Sequence, residues 1–302
     1  MLEDLLFLAL ISLYLFGELM AEVVSNKKKN KKPEPHQKEM SFWEHLEELR
    51  WHIIRSVVAI IILGIVAFLN REIIFDEIIL APKDSDFITN RLLCQLADYL
   101  SVSALCLDDL SLRVINLKMS GQFLTHMYIS IIAGIIVGFP YLVWEIWSFI
   151  KPALKSREKK HSGGAVVVCS LLFLTGVLFS YFLIVPLTLH FLGTYQVSEF
   201  VKNQIALGSY ISTVVSVSFA VGLVFELPVF VYFLTKVGII TPAFMKKNRK
   251  YMLIIILVLS AIITPPDIFS QVMVCIPLLL LYEFSIWISK RVYLKRQSEL
   301  QG

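Results

Sequence analysis

Acidic residues in apolar surroundings are the groups in this sequence with the most chemistry to offer. Glu226, in Val224-Phe225-Glu226-Leu227-Pro228, stands near the middle of a long apolar run. An ionised carboxylate there costs about 2.5–3.5 kcal/mol on insertion scales. Two readings follow: a protonated or internally paired glutamate that ties helices together, or a functional polar site beside a backbone carbonyl freed by Pro228. A second group lies in Ser41-Phe42-Trp43-Glu44-His45-Leu46-Glu47-Glu48-Leu49-Arg50-Trp51-His52, which leads into the apolar run Ile53–Leu69. Ser41 and Glu44 form a capping-box pattern, so Glu44 reads as structural. Glu44 and Glu48 are like charges at i,i+4, a spacing that calls for a nearby cation, either Arg50 or a partner. The alternative is a solvated juxtamembrane face. Glu158 is the lone acid in the basic segment Lys151–His161, where an internal bridge to Arg157 or Lys160 competes with any binding role. Glu145 and Glu283 fall near cytoplasmic helix ends within reach of water, and Asp267 reads first as a helix cap after Pro265-Pro266.

The four cysteines, Cys94, Cys106, Cys169 and Cys275, show no metal-binding spacing, and the sequence contains no phosphate-binding glycine motif. No metal, cofactor or nucleic acid is expected. A convincing pairing of nucleophile and base is also missing, so the sequence does not read as an enzyme.

These groups need a membrane scaffold to hold them. The chain of 302 residues is 57% hydrophobic and 17% charged, with mean hydropathy +0.72, well above the roughly 45–50% apolar share of soluble domains. Six apolar segments, about Ile53–Leu69, Phe123–Trp147, Ala165–Leu192, Tyr210–Val237, Tyr251–Thr264 and Ile268–Ile288, are too long and too continuous for barrel strands. The fold class is therefore all-α, a polytopic membrane bundle with six core spans and an added N-terminal hydrophobic helix. Basic clusters at 151–160, 246–250 and 290–296 place those ends inside, and 70–122, 193–209 and 265–267 outside. The fifth segment, at about 14 residues, is short for a hydrocarbon core near 30 Å and should thin the bilayer or turn below its far surface.

The organisation reads as a hydrophobic anchor over 1–24, a basic cytoplasmic linker over 25–39, a six-span body over 40–292 and a cytoplasmic tail over 293–302. The apolar core of the anchor, Leu5–Phe16, fits either an interfacial helix or a span extending towards Val24. The external loop 70–122 is expected to form a cap, with turn material at Ala81-Pro82-Lys83-Asp84 and an amphipathic stretch near Leu92–Leu105. It carries Cys94 and Cys106 on the oxidising side, so these two either pair or remain free thiols.

Taken together, the motifs resemble the TatC family, the receptor subunit of the twin-arginine protein translocase. The resemblance covers about residues 40–292. It rests on His45-Leu46-Glu47-Glu48-Leu49-Arg50, Ala81-Pro82, Pro140-Tyr141 followed by Trp147-Ser148-Phe149-Ile150-Lys151-Pro152-Ala153-Leu154 and Arg157-Glu158, Phe225-Glu226-Leu227-Pro228, and Thr264-Pro265-Pro266-Asp267-Ile268-Phe269-Ser270-Gln271. Two positions depart from the family pattern: His52 replaces a second basic residue, and Glu145 stands where a glutamine is usual.

The resemblance implies a receptor in a bacterial-type inner membrane, with a cytoplasmic C-terminus. It would bind twin-arginine signal peptides of folded precursors and nucleate a translocon with TatA/TatB-type subunits, driven by the proton-motive force. It also implies a homo-oligomer within a hetero-complex. Glu48 and Glu158 would take the two arginines, Arg50 would orient Glu48, Phe149 would pack on the adjoining peptide, and Glu226 would meet a single-span partner. Pro82, Pro140 and Asp267 fall on loop or helix positions of the motifs. The competing reading is a proton- or cation-coupled secondary transporter using Glu226, although the inverted repeat expected of one is not evident.

Overall fold

The computed structural model describes residues 42–84, 87–100, 113–150, 162–196, 198, 200, 203–264 and 268–301. They form two compact units, one from the described parts of 1–70 and 130–167, the other from those of 71–129 and 168–302. Among the described residues, five helical stretches are long and apolar enough to cross a membrane: His45–Leu69, Gly121–Ile150, Gly164–Thr194, Leu207–Val237 and Ser270–Ser298. In hydrocarbon the helix is the open-ended structure that satisfies its own backbone, so segments rich in Ile and Val are helical here despite their weak intrinsic propensity.

The first unit contains α1, Phe42–Leu69, and most of α3, Gly121–Ile150. Asn70 closes α1, its side-chain nitrogen donating to the Val66 carbonyl at 2.8 Å. The exposed apolar face of α1, from Ile53 through Val57, Ile61 and Ile65 to Leu69, suits lipid.

The second unit holds the rest. After α1 come a π-helical turn at Ile73–Ile79, a 3-10 turn at Ala81–Lys83 containing buried Pro82, and α2, Ile88–Leu100. Aromatic hydroxyls fasten this segment: Tyr181 donates to the Ile78 carbonyl at 2.6 Å and Tyr210 to the Ile79 carbonyl at 2.8 Å. Two-residue strands Val114–Ile115 and Ile205–Ala206 pair in parallel, Val114 opposite Ile205. The chain continues through α4, Ser162–Phe179, a π-helical turn at Ser180–Ile184, α5, Val185–Thr194, and α6, Leu207–Val224.

A turn at Phe225-Glu226 separates α6 from α7, Leu227–Val237, with Pro228 in the first turn of α7, where a missing N–H costs nothing. Gly238, at φ 94°, terminates α7 by donating to the Leu234 and Thr235 carbonyls, a left-handed position that suits glycine. After the short α8, Pro242–Lys247, the expected fifth span is α9, Arg249–Ile263, of 15 residues. It rises about 22 Å, short of the hydrocarbon core. The last helix, α10, runs from Ile268 to Gln301. Val217, Ile256, Val274, Leu278 and Ile286 form the centre of this unit, and the Thr235 and Ser289 hydroxyls satisfy one another at 2.9 Å within it.

Candidate functional site

Two glycines set the approach of α1 and α3. A Cβ added at Gly134 would stand 2.7 Å from the Gly64 nitrogen and 2.8 Å from the Ile60 carbonyl oxygen, so the backbones meet where only glycine fits. From that crossing His52 lies 12 residues back along α1, and Glu145 lies 11 residues onward along antiparallel α3. These arms are about 18 and 17 Å long, which brings the two side chains to one level.

There Glu145 is buried, 1% exposed. The Tyr141 hydroxyl, one turn earlier on α3, donates to its Oε1 at 2.7 Å, and His52 Nδ1 is hydrogen-bonded to its Oε2. The opposite edge of the imidazole, Nε2, lies 4.0 Å from Oε1 of Glu48, whose side chain is 37% exposed. His45 stacks on Phe149 with ring centroids 4.3 Å apart, and Phe149 meets His52 edge-on at 6.1 Å. The result is a half-exposed carboxylate and a half-buried aromatic ring on one surface, backed by a buried carboxyl. Such a surface can take a cation that has both a charged fork and a flat face.

Two expectations are corrected here. Arg50 does not orient Glu48; its Nη2 lies 3.5 Å from Oε1 of Glu47 and its guanidinium 5.6 Å from the Trp51 ring. Residues two apart on a helix point away from each other, whereas i,i+3 neighbours meet. Glu145 does not face water: α3 continues to Ile150 and turns this carboxyl towards His52. Its run of apolar neighbours, Val143-Trp144-Glu145-Ile146-Trp147, was the available signal for burial.

Pro140 lies inside α3, next to Tyr141, and Pro82 is buried in the 3-10 turn of the second unit. Glu158, Cys106 and Asp267 lie outside the described residues, as do residues 1–41. Cys94 is disulfide-bonded, while Cys169 and Cys275 are free and buried. Glu226 is 6% exposed. The Cys169 thiol and the Phe173 backbone meet its carboxyl group, and its Oε1 has no hydrogen-bond partner among the described residues. Among the described residues no group of three or more His, Cys, Asp or Glu side chains is arranged to hold a metal ion.

The profile of the family described as Sec-independent protein translocase protein (TatC) matches residues 44–277. The chain belongs to the TatC family. It is 43% identical over 260 residues to a Sec-independent protein translocase protein TatC of Blattabacterium sp. subsp. Periplaneta americana (strain BPLAN), covering 85% of this chain and 98% of that one. A TatC of Aquifex aeolicus (strain VF5) is 35% identical over 263 residues, covering 87% and 99%. A crystal structure of a twin arginine translocase receptor TatC superposes with a TM-score of 0.65 at 34% identity, over 82% of this chain and 99% of that chain. This TatC-family chain is thus a multi-pass helical membrane protein of the protein-translocase class, and Glu48, His52, Phe149 and Glu145 all fall within the matched residues.

Proposed function

We propose that this TatC-family chain is the receptor of a twin-arginine protein translocase, binding the signal peptides of folded precursors at the surface shared by α1 and α3. The observation that carries the reading is that His52 lies against both Glu48 and Phe149, the latter stacked on His45, in one unit. A guanidinium keeps its charge at every relevant pH and offers paired N–H groups to a carboxylate, as well as a flat face to an aromatic ring. Glu158 takes the second arginine from the basic segment that follows α3. The basic clusters support a cytoplasmic side for this surface and for the C-terminus, and membership of the TatC family supports a bacterial-type inner membrane. Membership of the TatC family supports the proton-motive force as the source of energy. TatA/TatB-type single-span subunits assemble with the chain, which itself oligomerises within the complex, and Glu226 contributes to that assembly from within the second unit. Cys94 pairs with Cys106 on the outer side. The body spans 40–292, after an anchor over 1–24 and a linker over 25–39 and before a tail over 293–302.

A photo-cross-linking titration of an Arg-Arg signal peptide tests the site. Glu48→Ala and Glu158→Ala should each lower capture at least about tenfold, the loss of one charge-assisted bond pair, with membrane insertion intact. Capture equal to that of the parent protein in both variants would place the site elsewhere.

A further inference from the structure

The geometry points to Glu145 and His52 as a positioning pair that fixes the direction of the Glu48 carboxylate and thereby sets its preference for guanidinium over ammonium. The inference rests on the reading of Glu48 as a signal-peptide acid. It concerns residues that touch no ligand themselves.

A carboxyl group 1% exposed in an apolar helix pair is costly unless both oxygens are occupied. Here both are, Oε1 by the Tyr141 hydroxyl and Oε2 by His52 Nδ1. A carboxylate opposite Nδ1 holds the proton on that nitrogen and fixes the plane of the ring. With Nδ1 anchored, Nε2 is aimed outwards, and what it meets is Oε1 of Glu48, one turn earlier on α1, at 4.0 Å. Phe149 meets the same ring edge to face, and one face of Phe149 is covered by His45. Arg50 is turned to Glu47 and does not compete for Glu48.

An unrestrained glutamate swings on its side-chain torsions and follows a point charge in many poses, so it serves lysine and arginine alike. A ring that carries a proton on both nitrogens presents an Nε2–H to Glu48, and once one carboxylate oxygen is drawn towards that fixed edge the group keeps a plane and a direction. A planar fork approaching in that plane retains both of its bonds, whereas an ammonium loses the poses that made it a fair substitute. Discrimination therefore originates one layer below the surface that the peptide touches.

The test uses the full chain in lipid nanodiscs, with synthetic Arg-Arg and Lys-Lys signal peptides titrated against each variant. Glu48→Ala is the control for the underlying reading. If it binds the Arg-Arg peptide as the parent does, that reading fails and the inference falls with it. His52→Asn is the decisive variant: its amide keeps a donor near the position of Nδ1, so the buried bond to Glu145 survives, but it has no edge facing Glu48. The expected result is a folded protein whose Arg-Arg over Lys-Lys affinity ratio drops about two- to fivefold, the worth of one part-exposed ion pair. Glu145→Gln should lower the ratio similarly. In 15N-histidine spectra it should also move the His52 resonance, identified by its absence in His52→Asn, away from the form protonated on both ring nitrogens. If Glu48→Ala loses binding while His52→Asn keeps the parental ratio, whether its affinities are unchanged or uniformly reduced, the positioning role is overturned. Should Glu145→Gln fail to insert, His52→Asn decides alone.

Discussion

Two glutamates are sealed inside the two units of this chain, and their surroundings differ in kind. Glu145 in the first unit has a phenol on one oxygen and an imidazole on the other. Glu226 in the second sits at the break between α6 and α7, with a thiol, which is a weak donor, and a backbone group for company, and its Oε1 has no hydrogen-bond partner among the described residues. The first is a completed network in which each member specifies the position of the next. The second retains unspent bonding capacity. Burial alone, at 1% and 6%, would have ranked them together; the partner inventory separates a carboxyl that organises its neighbours from one that can still accept a donor.

The contrast predicts a graded set of stabilities, measured by unfolding of the purified protein in mild detergent. Glu145→Ala should cost about 3–5 kcal/mol, because it removes one member of a buried pair and strands His52 and the Tyr141 hydroxyl. Tyr141→Phe deletes a single bond to the same carboxyl and should cost about 1.5–3 kcal/mol. Around Glu226 the effects should be smaller: Cys169→Ala should lose about 0.5–1.5 kcal/mol, and Glu226→Gln should stay within about 1 kcal/mol of the parent. A Glu226→Gln loss larger than that of Glu145→Ala would reverse the comparison. Equal losses for the two would abolish it.

The polytopic helical architecture was legible in the sequence because it is written in the length of apolar runs, a one-dimensional quantity. Even the short α9 followed from counting residues. The site was legible only in part. Glu48 and Phe149 came from motif resemblance, and the structure brings them to one surface; Glu158 lies outside the described residues. The orientation of Arg50 was missed because sequence adjacency suggested a partner that helical periodicity turns away. Glu145 was assigned to water because its apparent distance from a helix end was judged from hydropathy, while the helix runs on to Ile150 and its rotation is fixed by Gly64 and Gly134. His52 and Glu145 had each been visible as separate departures from a family pattern. Their contact, 93 positions apart in the chain, needed three dimensions.

The contact between Gly64 and Gly134 also has a mechanical consequence. With no side chain to separate the helices there, it acts as a fulcrum with arms of about 17–18 Å reaching to Glu145 and His52. A change of about 5° in the crossing angle displaces the ends of those arms by about 1.5 Å, enough to part the His52–Glu145 bond. A change of bilayer thickness that tilts one helix against the other about this crossing would therefore appear as an ångström-scale movement at the carboxyl network.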